Sequence, residues 1–134
     1  MKIIRADERP TVQPNTDYFT GHVLQDPIVN EADPLSNLTA LIVHFAPGAR
    51  TAWHTHPRGQ AIHILSGIGR VGRRQDAPQT VRAGDTVWFE PGEEHWHGAA
   101  PEHAMSHMAM QESADGSMVN WLEAVENVDY ADEA

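Results

Sequence analysis

The chain has 134 residues, 40% of them hydrophobic, a formal net charge of −10 and no cysteine. That length gives one domain with one core, and that charge excludes nucleic-acid binders and disfavours an anionic membrane surface, because both present phosphates. Without cysteine there is no disulfide, thiol nucleophile or thiolate ligand, which fits a reducing cytoplasm, and neither a signal-peptide core nor the ~20-residue apolar run of a membrane span is present.

Residues 1–16 are polar, contain Pro10 and Pro14, and are expected as an extended arm. Tyr18 to Leu24 reads as a first strand interrupted at Gly21, and Asp26-Pro27 and Asp33-Pro34 read as turns. Leu38 to Phe45 is a strand with Leu41, Val43 and Phe45 on one face and Ile42 and His44 on the other. Thr51 to His56 follows, then Gln60 to Leu65 with Gln60, Ile62 and Ile64 on one face. Ser66 to Gly69 turns or bulges into an edge-like strand, Arg70 to Arg74. Thr80 to Arg82 and Asp85 to Phe89 flank a turn at Ala83-Gly84, and His95 to His97 follows Pro91-Gly92. His103 to Gln111 alternates, with His107, Ala109 and Gln111 on one face and Met108 and Met110 opposite. Ser113 to Gly116 is a hairpin turn, Met118 to Leu122 a last strand, and Leu122 to Tyr130 has room for one helical turn. Many short strands, turns every few residues and no long helix define an all-β sandwich or barrel. The organisation is an arm (1–16), a barrel (17–124) and a frayed acidic tail (125–134).

Two histidine pairs carry the chemistry. On a strand, His54-x-His56 puts both imidazoles on one face, and His95-x-His97 repeats the arrangement. Neutral imidazoles converging from two strands are the beginning of a metal site.

Gly48, His54, His56, Gln60 and Gly67, followed by Gly84, Pro91, Gly92 and His95, are similar to the two motifs of the cupin superfamily. Three positions depart from the usual pattern: Gln60 stands where Glu is common, Glu90 where Pro is, and Ala99 where Asn is. The stretches Thr51 to Gln60 and Pro91 to His107 further resemble the small bacterial cupins that include manganese-dependent hydroxynitrile lyases. The resemblance implies a double-stranded β-helix, or jelly-roll barrel. It implies one divalent metal held by His54, His56, Gln60 and His95, with manganese the first choice and iron, nickel, cobalt or zinc as alternatives. It implies that His97 and His107 act beside the metal, with Gln111 donating a hydrogen bond in the same pocket.

Gln60 adds no negative charge, so the metal keeps its full +2 charge, which favours Lewis-acid chemistry over redox cycling. The expected function is a metal-dependent lyase of hydroxynitrile-lyase type acting on a small molecule. The alternatives are a cupin dioxygenase or isomerase and a non-catalytic small-ligand binder. A homodimer or larger homo-oligomer is expected, through the arm or an unpaired strand edge. Parity lines the pocket with Leu41, Val43, Phe45, Ile62 and Ile64. It turns His63 away from the metal, towards a subunit interface, and leaves His22, His44 and His103 on the exterior. Trp53 and Trp96 are assigned to core or interface packing, Trp88, Phe89 and Trp121 to the core, and Met105, Met108 and Met110 to filling gaps.

Overall fold

Short alternating runs punctuated by Gly and Pro can bury one face only by closing a sheet on itself. The computed structural model shows that closure for the residues it describes, 1–29 and 36–131. The strands are β1 (Phe19–Thr20), β2 (Val23–Val29), β3 (Leu38–Phe45), β4 (Arg50–Thr51), β5 (His54–Thr55) and β6 (Gln60–Arg73), then β7 (Gln79–Arg82), β8 (Thr86–Phe89), β9 (His95–Ala99), β10 (Met105–Glu112) and β11 (Asn120–Trp121). Every pairing is antiparallel. One wall runs β8-β6-β10-β3-β2. The facing wall runs β7-β6-β9, continued by β4 and β5, with β1 beyond β4 and β11 beyond β5.

β6 belongs to both walls and makes the corner. Gln60 to His63 pair with β8, whereas Ile68 to Val71 pair with β7 and Gly69 to Arg73 with β9. Gly67 sits at the bend with φ of 80°, and a Cβ there would lie 1.9 Å from the Ala104 carbonyl oxygen. Only glycine meets both demands. The expected break at Ser66 to Gly69 is therefore a bend inside one 14-residue strand. Arg70 and Val71 are not an edge, because β7 and β9 flank them, whereas Gly72 and Arg73 pair with β9 alone.

Two other expectations change. Asp26-Pro27 lies inside β2, where an edge position tolerates proline and the ladder slips between Pro27 and Val29. Asp33-Pro34 lies outside the described residues. Thr51 to His56 is not one strand: the chain leaves the wall at Ala52-Trp53 because Trp53 exchanges backbone hydrogen bonds with the C-terminal segment, its N–H to Glu123 O (2.9 Å) and its carbonyl from Leu122 N–H (2.8 Å). The hairpin turn is as expected, with Asp115 and Gly116 both at positive φ (52° and 80°) and Ala114 bridged to Ser117. The arm is extended apart from 3-10 turns at Ala6–Glu8 and, at its end, Thr16–Tyr18, where the first strand was expected to begin.

The interior is an aliphatic and aromatic cluster that includes Val43, Phe45, Ile62, Ile64, Phe89 and Met105. A second cluster, Trp53, Trp96, Val125 and Tyr130, lies apart from it. This second cluster corrects the expectation of a frayed tail for Val125 to Tyr130. Val125 and Tyr130 are buried, Asn127–Tyr130 forms the single helical turn α1, and Arg50 donates from Nε (3.1 Å) and Nη2 (2.8 Å) to the Val125 carbonyl. The Tyr130 hydroxyl donates to Ala99 O (2.6 Å), and its ring lies 4.3 Å from the Arg50 guanidinium. Trp88 is 53% exposed, so it is not core. Its neighbour Phe89 points inward and is buried, whereas Trp121 is half-buried at the mouth of the cavity.

Candidate metal centre

β5, β6, β9 and β10 each turn polar side chains into the same end of the barrel. His54, His56, Gln60, His95, His97, His107 and Gln111 are all buried there. β5 and β9 pair at His54 and His95, which sets those two rings 4.3 Å apart between centroids. His56 lies just beyond β5, with its ring 5.1 Å from that of His54. One nitrogen from each of His54, His95 and His97 falls within 4.8 Å of the others, a spacing that could hold a metal ion. The sequence reading placed His56 and Gln60 in that set and His97 beside it. The structure gathers all five at one end of the barrel, but the histidine nitrogens within 4.8 Å of one another include that of His97 and not that of His56.

Hydrogen bonds to backbone carbonyls decide the protonation of three rings. Nδ1 of His54 faces Ala52 O (2.9 Å), that of His56 faces Met118 O (2.6 Å) and that of His95 faces Glu93 O (2.8 Å). A carbonyl only accepts, so each Nδ1 carries the proton and each Nε2 presents a lone pair. Gln60 is oriented too. Its Nε2 donates to Gln111 Oε1 (3.1 Å), and Gln111 Nε2 donates to Thr39 Oγ1 (2.7 Å). The Gln60 amide oxygen therefore faces the rings, 3.1 Å from His95 Nε2 and 3.2 Å from His97 Nε2.

The result is a group of acceptors with a shortage of donors. His95 Nε2 and Gln60 Oε1 face each other without a proton between them, and the buried His56 Nε2 has no partner. A buried acceptor without a donor costs about 1–3 kcal/mol. A cation relieves all of these at once, so the residues fit a divalent metal: neutral nitrogen and oxygen donors whose other atoms are held by backbone and side-chain hydrogen bonds.

Burial dominates the titration of these rings, with mutual repulsion between imidazoles second for His54 and His97. The imidazoles of His95 and His107 are pushed down to about 3, those of His54 and His97 well below the ordinary 6.5, and that of His56 lower as well. All five are neutral at physiological pH.

His97 and His107 form a pair behind this group. His107 Nε2 lies 2.8 Å from His97 Nδ1, and His107 Nδ1 is buried without a partner. One proton occupies the gap between the two rings. If it sits on His107, His97 carries its own proton on Nε2 and donates to Gln60. If it sits on His97 Nδ1, His97 Nε2 becomes a further lone pair at the metal group. The pair can therefore take up or release a proton at the buried centre.

The cavity in front of the centre encloses about 310 Å³. Leu41, Val43 and Phe45 line it as parity predicts, but Ile62 and Ile64 do not reach it and belong to the core beneath. The sequence reading missed Tyr18, Phe19, Thr39, Met118 and Trp121. Tyr18 and Trp121 stack at the mouth, 4.8 Å between centroids and 6° from parallel, and Trp121 lies 4.8 Å from the His54 ring. Thr39 shares the parity of Leu41 and was findable; the Met118 carbonyl leaves no mark in sequence. A larger hollow of about 550 Å³ lies outside, lined in part by β7 and β8. Its Arg73 is already paired with Asp76 and Glu93, so no uncompensated charge points to a ligand there.

An antiparallel barrel with buried histidines that could hold a metal ion gathered at one end is the arrangement of a cupin. The Cupin domain family (Cupin_2) matches residues 41–109. The chain belongs to that family. The chain is 45% identical over 130 residues to an (R)-mandelonitrile lyase of Granulicella tundricola, covering 97% of this chain and 98% of the relative. A cupin-like protein of Thermotoga maritima superposes with a TM-score of 0.83 at 33% identity, covering 88% of this chain and 89% of that one. The polyketide cyclase RemF of Streptomyces resistomycificus shares the fold with a TM-score of 0.75 at 15% identity, covering 95% of this chain and 89% of that one. Among the described residues, no helix is long and apolar enough to cross a membrane.

Proposed function

We propose that this cupin is a metal-dependent lyase of hydroxynitrile-lyase type, cleaving or forming a small aromatic cyanohydrin. The observation that carries the reading is the group of buried lone pairs facing a cavity that has apolar walls and a proton-carrying histidine pair behind it. The full-length likeness to a mandelonitrile lyase supplies the reaction class. His54, His56, Gln60 and His95 would hold the metal, with manganese the first choice. When bound, the metal supplies a Lewis acid for the substrate oxygen.

The chain's own residues do the rest. Leu41, Val43 and Phe45 receive the aromatic ring and exclude water, and the Tyr18–Trp121 stack closes the mouth. His97 takes the hydroxyl proton as the carbon–carbon bond to the nitrile breaks. The electron pair leaves with cyanide and the oxygen becomes the aldehyde carbonyl. His107 shares the proton through the 2.8 Å contact, and cyanide departs as the acid once the proton is returned. Gln111 keeps the Gln60 oxygen aimed at the imidazoles.

This reading makes the protein a homo-oligomeric cytoplasmic enzyme; its charge of −10 supports the exclusion of nucleic-acid and membrane partners, and its lack of cysteine fits a reducing compartment. The test is elemental analysis of purified protein with initial rates on aromatic cyanohydrins, under air and under nitrogen. Stoichiometric metal and turnover that ignores oxygen are expected. A rate that vanishes under nitrogen selects the dioxygenase reading. No turnover by the metal-loaded protein on any cyanohydrin selects a binding module.

A further inference from the structure

The cavity in front of the histidines has a polar group that the proposed chemistry leaves unused. Along β2, Val23 turns into the core, and Gln25 shares its inward parity. Gln25 is the register partner of Val43 and lines the cavity beside it. Its backbone is fixed: its N–H donates to Val12 O and its carbonyl accepts from Val12 N–H, both at 2.8 Å. Its side chain is half-buried, and among the described residues its amide oxygen and nitrogen have no hydrogen-bond partner. An amide withdrawn from water without a partner is unfavourable, and an aliphatic side chain here would pack beside Val43 without that cost. The polar side chains nearer the histidines are engaged. Gln60 bonds Gln111, Gln111 bonds Thr39, and Thr51 Oγ1 accepts from His97 N–H (3.2 Å).

We infer that Gln25 determines specificity by hydrogen-bonding a substituent on the edge of the substrate ring opposite the reacting carbon. The preferred substrates are then cyanohydrins of hydroxy-substituted aromatic aldehydes. The inference rests on the lyase reading above and names the substrate class of that site.

Register sets the spacing. Gln25 aligns with Val43 and Val43 with His107, which holds His97 at the polar end of the cavity. Two strand spacings put the backbones of Gln25 and His107 about 10 Å apart, with Val43 between them. The cavity thus has an apolar middle and a polar group at each end. Its volume of about 310 Å³ is at the small end of the range for ligand pockets, which suits one substituted ring. The chemistry of the far end follows from the amide. It offers an acceptor oxygen and two donor hydrogens, so it pairs with a phenol hydroxyl in either sense. It carries no charge, and a chain of −10 disfavours an anionic substituent such as a carboxylate.

The test uses the metal-loaded chain in the direction of synthesis, with cyanide and a panel of aldehydes: benzaldehyde, 4-methylbenzaldehyde, and 3- and 4-hydroxybenzaldehyde. The methyl group matches the hydroxyl in size and lacks its hydrogen bonds. Gln25→Leu removes the amide and keeps an apolar side chain of similar volume. Gln25→Met, unbranched, replaces it if the branched side chain disturbs the strand. Comparing each hydroxy-to-methyl ratio between parent and variant cancels the electronic effect of the substituent on the carbonyl. The variant should lower that ratio of kcat/KM about 10-fold for the better hydroxybenzaldehyde, the worth of one hydrogen bond. The change should lie mainly in KM, because the contact is the same before and during reaction. Calorimetric binding of the same aldehydes without cyanide should show the same change in ratio. Equal losses on all four aldehydes, or an unchanged ratio, overturn the inference and leave the lyase reading standing. Gln25-dependent binding of the hydroxybenzaldehydes without turnover of any aldehyde keeps the recognition and overturns the lyase reading. Neither turnover nor a Gln25-dependent binding preference overturns both.

Discussion

The two ends of the barrel are built from the same strands and solve opposite problems. At the closed end, β6 and β10 contribute Ile64 and Met105, whose burial favours folding by about 1.5–3 kcal/mol each. At the open end the same two strands contribute Gln60 and Gln111, β3 adds Thr39, and β5 and β9 add His54, His95 and His97. None of these gains much from burial, and several present lone pairs without a donor. Stability is concentrated at one end and the polar group at the other, with His107 between them, in register with Ile64 and packed against Phe45.

The comparison breaks most sharply at the proposed metal ligands. The double change His54→Ala/His56→Ala should abolish metal binding, read by elemental analysis, and lower turnover by more than about 10³-fold, with the β-sheet circular dichroism signal kept. Full metal occupancy in that variant would show that His95, His97 and Gln60 suffice. His107→Ala tests the proton pair: metal stays, kcat falls about 10²–10⁴-fold and the acid limb of the pH–rate profile changes. An unchanged profile would make His107 a packing residue.

At the other end, Ile64→Ala should cost about 2–5 kcal/mol in urea unfolding and leave the metal content at low temperature unchanged. Loss of metal there, without loss of fold, would mean that the ends are not separable. The smallest effect is in pH. The metal-free protein should lose stability as pH falls below 6.5. His95 and His107 titrate near 6.5 when unfolded and near 3 when folded, so between those values the unfolded chain binds more protons. The stability they give is complete above 6.5 and falls by up to about 1.4 kcal/mol per pH unit for each ring as pH drops towards 3. Bound metal should move acid unfolding lower still, and equal acid midpoints with and without metal would refute the lone-pair account.

The two ends also differed in how far the sequence disclosed them. Strand parity alone placed Leu41, Val43 and Phe45 together and turned His107, Ala109 and Gln111 inward, because a regular ladder preserves period 2 over eight residues. It failed where long-range pairing overrides local pattern. β5 is cut short because Trp53 binds Glu123 and Leu122, β6 runs through its glycines because both halves find partners, and Pro27 survives in a strand because that strand is an edge. The histidines were visible from their spacing. Their tautomers were not, since the carbonyls of Ala52, Glu93 and Met118 that set them carry no side-chain signature.

The hold of Met118 on His56 and the pairing of Trp121 with His54 tie the imidazole group to the C-terminal segment. That segment is fastened to the walls by a two-residue strand, by the Trp53 backbone hydrogen bonds and by the clamp of Arg50 and Tyr130. Its release would free the His56 imidazole to turn while the β3-β10-β6 ladders stay intact. Local opening of this segment, not unfolding of the barrel, would then set how fast an ion enters or leaves the group.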